Sequence, residues 1–489
     1  MDKSPNFVLK LPLEEMALRK VVVSLWNEKD ILTSIGEFLF EVYNEDDLKV
    51  QWQYEIENEV KDKASRLLLP ELLKKRLMRV IRPIGLEIFK WIRYSYKSYY
   101  LIYYLKYPRL GILKQLRWTS AGAIDYQKTA GAIISLNIFD VVKNYKLACE
   151  YCLVDVLPLL WRKLDSSDEK KFCEEENFWI DHVTFLELYW SYFLKGEKSK
   201  LYSSFSWNFI DFNHEAFETS VRTGNKVATK YFFSKLNNEE RNTCLFYAFT
   251  NAVKRSGEKN DIPKEMPEVL LYLFSQMSPE QQMQVLKEHT RGVLRFFLDW
   301  PLQDLYLDIA DITRAFLSEE SFYDLLHDTI EDAIDSGYYF PDLMQKCFLR
   351  CPADFRTKFI NRFVSHFYKF EDIEIARIVF KSIDREIRME LLFRNLWFFQ
   401  LLSDLILNDK WNVVEECIQE ASLSEGDKKR LMQDLWESLP FPEKAQKRIS
   451  KRFVDFLDET DADARGKVEN ETVTTVKKLC TEDKKNNSS

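Results

Sequence analysis

Glycine and proline are scarce in this chain, with 12 Gly and 14 Pro among 489 residues. Folds built from short strands need glycine at their tight corners, so the shortage speaks against a β-rich architecture. It also speaks against loops in which the backbone closely approaches a phosphate, and no GxGxxG, GxxxxGK[ST] or GxSxG pattern occurs. Cysteine is sparse as well: positions 149, 152, 173, 244, 347, 351, 417 and 480 are too few and too scattered for a disulfide framework. The five histidines, His182, His214, His289, His327 and His366, form no HxxxH or HExxH pair. Asp181–His182 and His327–Asp328 are chain neighbours, whose side chains diverge on a helix. No apolar run approaches the ~20 residues of a membrane span. Lys10, Glu14, Glu15, Arg19 and Lys20 interrupt the N-terminal segment, so no secretory signal is expected. These absences predict an intracellular, cytoplasmic, non-enzymatic protein with no cofactor and no metal.

What the chain has in quantity is rings: 36 Phe, 23 Tyr and 12 Trp, in a composition 46% hydrophobic and 30% charged. Few breakers and many large side chains suit long helices with aromatic seams. The length exceeds what one core normally supports, so several domains or a stack of units is expected. Amphipathic spacing predicts a helix from Leu13 through Trp26 and a second, capped by Asp30, through Val42. A third starts after Pro70 and should stop or kink at Pro83; a fourth runs from Ile84 to Tyr107, ended by Pro108.

Further along, an apolar residue followed by a polar or acidic turn recurs. It reads Leu164-Asp165-Ser166-Ser167, Leu236-Asn237-Asn238-Glu239, Met277-Ser278-Pro279-Glu280, Leu317-Ser318-Glu319-Glu320, Ile383-Asp384-Arg385-Glu386 and Leu423-Ser424-Glu425. The anchors lie 72, 41, 40, 66 and 40 residues apart. With one degenerate copy in each wide gap, the period averages 37 residues, within the range of stacked helix pairs. Helix-pair units are read at 147–160, 216–232, 333–348 and 405–418. Residues 216–236 resemble an ankyrin repeat, with Gly224-Asn225 at the turn and Val227-Ala228 and Phe232-Phe233 in the second helix. Residues 405–418 follow the same layout, with Asp409 in the glycine's place. The family's Thr-Pro-Leu-His opening and Gly-Ala-Asp ending are absent, so its β-hairpin fingers are not implied.

The expected fold is therefore all-α: an N-terminal helical domain (1–130), then an α-solenoid of stacked helix pairs with degenerate ankyrin-like repeats (131–455). A polar tail (456–489) is expected to be disordered.

Cys149-Glu-Tyr-Cys152 has the spacing of half a zinc or redox site, but no second pair accompanies it and both thiols fall in a periodic helical segment. Core packing is the expectation. The acidic runs at 165–169, 174–176 and 319–320 fall at helix starts, where carboxylates cap free N–H groups. Ser278-Pro279-Glu280-Gln281 has the pattern of a capping box.

One segment departs from the acidic character of the chain. Between 74 and 118 lie Lys74, Lys75, Arg76, Arg79, Arg82, Lys90, Arg93, Lys97, Lys106, Arg109, Lys114 and Arg117 against a single acid, Glu87. The segment carries +11 in a chain of net −8. Phe89, Trp91, Tyr94, Tyr96, Tyr99, Tyr100, Tyr103, Tyr104, Tyr107 and Trp118 interleave with the cations. Such a surface suits an acidic protein partner, a nucleic acid or an anionic membrane. It equally suits a packed helix whose cations are solvated or docked on the acidic remainder of the chain. The leading functional expectation is a protein–protein interaction scaffold using the concave face of the stack. The alternative is a nucleic-acid-binding helical-repeat protein using 74–118, and an enzyme of unrecognised type stands third.

Overall fold

The computed structural model describes residues 9–38, 45–99, 109–173, 184–197, 199–200, 212–255, 265–335, 341–352, 356, 380–407 and 411–438. Within them the fold is all-α, and the one pairing of extended backbone is an isolated bridge between Trp118 and Ile124. The tail at 456–489 lies outside the described residues.

The chain packs as two compact units, 1–338 and 339–489. The first begins with α1 (Leu13–Trp26), α2 (Lys29–Glu37), α3 (Glu45–Trp52), α4 (Asn58–Ser65), α5 (Glu71–Tyr99) and α6 (Arg109–Leu113). It continues with α7 (Tyr126–Ser135), α8 (Val141–Glu150), α9 (Leu157–Trp161), α10 (Ser166–Cys173) and α11 (Phe185–Lys195). Then come α12 (Phe212–Arg222), α13 (Lys226–Lys235), α14 (Asn238–Arg255) and α15 (Met266–Gln276). The unit ends with α16 (Pro279–Glu288), α17 (Thr290–Leu298), α18 (Tyr306–Thr313) and α19 (Glu319–Asp335). The second unit holds α20 (Pro341–Arg350), α21 (Arg385–Arg394), α22 (Leu396–Leu407), α23 (Trp411–Glu420) and α24 (Glu425–Ser438).

Large rings hold the N-terminal helices. Trp26 and Trp52 are fully buried and stack with centroids 5.9 Å apart. Phe38 and Phe89 meet Trp52 edge-on at 5.4 and 5.5 Å. The Trp26 indole also donates to the Ile81 carbonyl, which gives the buried N–H a partner. A Cβ on Gly85 would lie 2.3 Å from that indole, so only glycine lets α5 pass so close to α1. Pro83 does not end its helix, for α5 continues from Glu71 to Tyr99. The proline removes one ladder bond at a cost of about 3 kcal/mol. Burial of Leu77, Ile81, Ile84, Ile88 and Ile92 on one face of α5 offsets that cost.

Within the first unit the N-terminal block is joined to residues near 300. The Arg19 guanidinium lies 4.3 Å from the Trp300 ring, pairs with Asp304 at 2.9 Å and donates to the Ala121 carbonyl at 3.0 Å. Trp300 donates to the Gly122 carbonyl at 3.1 Å, and Gly122 itself has φ +76°.

From α12 onward each helix leans on near neighbours. α12 packs on α13 and α14, α13 on α15, α14 on α15, α16 and α17, and α17 on α18 and α19. The recurrent turns form helix starts. Asp165, Asn237, Ser278, Ser318 and Ser424 each accept the backbone N–H three residues on. Ser278–Gln281 and Asn237–Glu240 close reciprocally as capping boxes. Asp384 occupies the same place without a side-chain bond.

The turn has a second element. Five residues after the apolar anchor, a side chain reaches back to the end of the preceding helix. Arg241 bonds the Phe233 and Ser234 carbonyls at 3.1 and 2.9 Å, and Gln282 bonds Phe274 at 2.8 Å. Arg388 bonds Ile383 and Lys381 at 3.0 and 3.1 Å and also the Glu420 carbonyl. Arg356 repeats this after Cys351, bonding Cys351, Leu349 and Ser382 at 2.9, 3.0 and 3.0 Å. Helix-end carbonyls lack intrahelical donors and carry partial negative charge, so a guanidinium both satisfies and neutralises them. Cys351 also divides the 66-residue gap between Leu317 and Ile383 into spans of 34 and 32.

Candidate functional site

The described part of the basic segment is mostly packing surface. Phe89 and Trp91 are buried, while Tyr94 and Trp118 are half-buried. Arg76 is paired with Glu14 at 2.5 Å and with Glu15. Arg82 bonds Gln53 at 2.7 Å and the buried Glu57 at 3.2 Å, and Lys90 lies 3.7 Å from Glu87. Lys74, Arg79 and Arg93 are half-buried, and Lys75, Lys114 and Arg117 are exposed. Lys106 and the side chains of Lys97 and Arg109 lie outside the described residues, as do Tyr100, Tyr103, Tyr104 and Tyr107. The twelve cations therefore do not form one array among the described residues; several serve contacts within the first unit.

Where α5 meets the rest of the unit, a polar hub forms that no sequence spacing announces. Glu87 is buried and accepts the Ile124 backbone N–H. Burial pushes its carboxyl up to about 7, against the opposing pull of Lys90. Asp299 is also raised by desolvation, with Lys90 and Arg295 opposing. Buried Tyr126 faces Glu87, Tyr151 and Glu265, and its phenol is raised by the same burial. The Tyr94 hydroxyl donates to Glu150 at 2.9 Å, and the Asn225 side-chain amide donates to the Glu150 carbonyl at 2.6 Å. Asn225 also caps α13, accepting the Ala228 N–H at 3.0 Å. Lys226 is ion-paired with Glu268. The hub's members come from positions 87 to 299, so a one-dimensional pattern had no way to mark them.

Cys149 and Cys152 are buried and form no disulfide. α8 ends at Glu150, and Cys152 follows it in a left-handed conformation, φ 45°, rather than in the helix expected. Burial pushes the Cys149 thiol well up, which disfavours the thiolate that metal binding and redox exchange require. His327 is buried, with Nδ1 3.4 Å from Asp328 Oδ1, so these chain neighbours do approach, at the limit of a hydrogen bond. Among the described residues no group of three or more His, Cys, Asp and Glu is placed to hold a metal ion. No described helix is long and apolar enough to cross a membrane.

No family model matches the chain, and no curated protein matches it. What fold and site define together is an all-α protein with a buried carboxylate–tyrosine hub and recurrent arginine-capped turns.

Proposed function

We propose that this chain is a non-enzymatic interaction scaffold built from stacked helix pairs. The carrying observation is the arginine clamp: Arg356 and Arg388 each bond the helix end before them and a carbonyl 26 or 32 residues further on. A side chain that bridges successive turns in this way suits a repeating stack, in which each unit packs on its neighbours. The ankyrin likeness of 216–236 adds to this, since α12 and α13 form a helix pair joined by Gly224 at φ 65° and capped by Asn225. Stacked pairs present side chains that no neighbour covers. Tyr247 on α14 is 58% exposed, and Met283 on α16 is 41% exposed beside a shallow depression of about 520 Å³. These are candidate contact points for a protein partner.

The test is affinity purification of the full chain from its native cells beside a Tyr247→Ser, Met283→Ser variant. Partners lost from the variant while its melting temperature is unchanged support the proposal. Turnover of a small molecule by the purified chain, with no stable protein partner, overturns it.

A nucleic-acid role is favoured by one observation, the exposure of Lys75, Lys114 and Arg117. It predicts salt-sensitive binding of mixed RNA or DNA, weakened when those three residues become Glu. No binding at low salt removes it.

A further inference from the structure

We propose that the corner formed by the first turns of α1 and α5 is a docking site for an anionic lipid surface. Leu13 opens α1 and is 79% exposed. Leu68, in the turn before α5, and Leu72, in its first turn, are 102% and 70% exposed. The pairs from Arg76 to Glu14 and Glu15 bring the two helix starts side by side. Ala17 and Val21 are also exposed and follow Leu13 at intervals of four, so they continue an apolar face along α1.

Two features select a bilayer as the occupant. A leucine at full exposure projects from the surface and lines no groove, so a protein partner would have to supply a pocket for each one. The boundary between headgroups and acyl chains accepts projecting apolar groups of any shape. The charge around the corner is also complementary to anionic headgroups. Lys10, Lys20, Arg66 and Lys75 are exposed and Lys74 is half-buried. Of the acids in the two first turns, Glu14 and Glu15 are engaged by Arg76, which leaves Glu71 against these cations. Lysines beside projecting leucines act together, one group drawing the surface to acidic lipid and the other inserting.

Co-sedimentation of the full chain with vesicles tests this, using phosphatidylcholine alone and phosphatidylcholine mixed with phosphatidylserine. Retention by the phosphatidylserine vesicles that declines with added salt is expected. The Leu68→Ser, Leu72→Ser double variant should lose about tenfold or more in apparent affinity, since each leucine forfeits its apolar burial. Lys74→Glu, Lys75→Glu should remove the preference for phosphatidylserine. Both variants change exposed or half-exposed side chains, so their melting temperatures should match that of the parent chain. Absence of retention at low salt overturns the proposal, as does retention that the leucine variant leaves unchanged. A concentration-dependent dimer that the leucine variant dissolves would assign the corner to a second copy of this chain. An acidic peptide or an RNA that competes away no vesicle, yet binds through the same leucines, would assign it elsewhere.

Discussion

In residues 13–99 a few large rings join helices distant in sequence, whereas in residues 212–298 each helix rests on the next one to three. Trp26 reaches Ile81 and stacks on Trp52, and Arg19 reaches Ala121 and Asp304. In the second region Arg241 and Gln282 bond helix ends seven or eight residues back, and Asn225 caps its own helix while also reaching the Glu150 carbonyl. Stability in the first region is therefore shared by contacts that form or fail together. In the second it is divided among local units, with neighbour contacts added.

The sharpest way to break the comparison is Trp26→Ala. Loss of a fully buried indole costs about 3–5 kcal/mol, and hydrogen exchange should rise across residues 13–125 and around 300 while α12 to α16 keep their protection. Equal loss of protection in both regions would show that they unfold as one.

Glu87→Gln probes the hub that joins them. A carboxyl raised to about 7 by burial favours the folded state while protonated. Relative to the unfolded chain, its cost begins in the ordinary glutamate range and is complete once pH has climbed through about 7. Denaturation at mildly alkaline pH should find the glutamine variant up to about 3 kcal/mol more stable than the parent. In acid the two should coincide, and a difference that is flat with pH would count against the assignment.

Arg388→Met keeps the aliphatic stem and removes three helix-end bonds. A loss of about 2 kcal/mol is expected, with faster exchange confined to residues 381–420. Asn225→Ala removes both the cap of α13 and the buried bond to the Glu150 carbonyl, about 1 kcal/mol each. Thermal melting would register the loss, and a second-site Glu150 substitution would not restore it, because the Asn225 amide bonds the Glu150 backbone.

Particular residues show how much was legible beforehand. The caps at Asp165 and Ser278 were legible, because capping is settled within four residues of chain, whereas at 318–320 the cap is Ser318 and not the acidic pair that follows it. The helices from Leu13 to Trp26 and around 212–235 followed from spacing for the same reason. The stop that Pro83 suggested does not occur, since local propensity cannot weigh the burial that carries α5 through it. Arg241, Gln282, Arg356 and Arg388 share one signal in the sequence, a guanidinium or amide five places after an apolar anchor. Arg356 was the hardest to find, because its anchor is Cys351 and its turn begins with proline. Of the twelve cations in 74–118, sequence grouped them by number alone; among the nine whose side chains are described, the fold has ion pairs, half-buried positions and open surface.

By itself, then, the sequence determined the all-α class, where many helices begin, and the recurrence of the turn, since periodicity and capping act over a few residues. The tertiary structure alone decided that Arg19 meets Trp300, that Glu87 lies near Tyr126 and Lys90, and that Arg76 pairs with Glu14 and Glu15. Those juxtapositions depend on burial summed over many weak contacts between distant segments, and no short window of chain contains that sum.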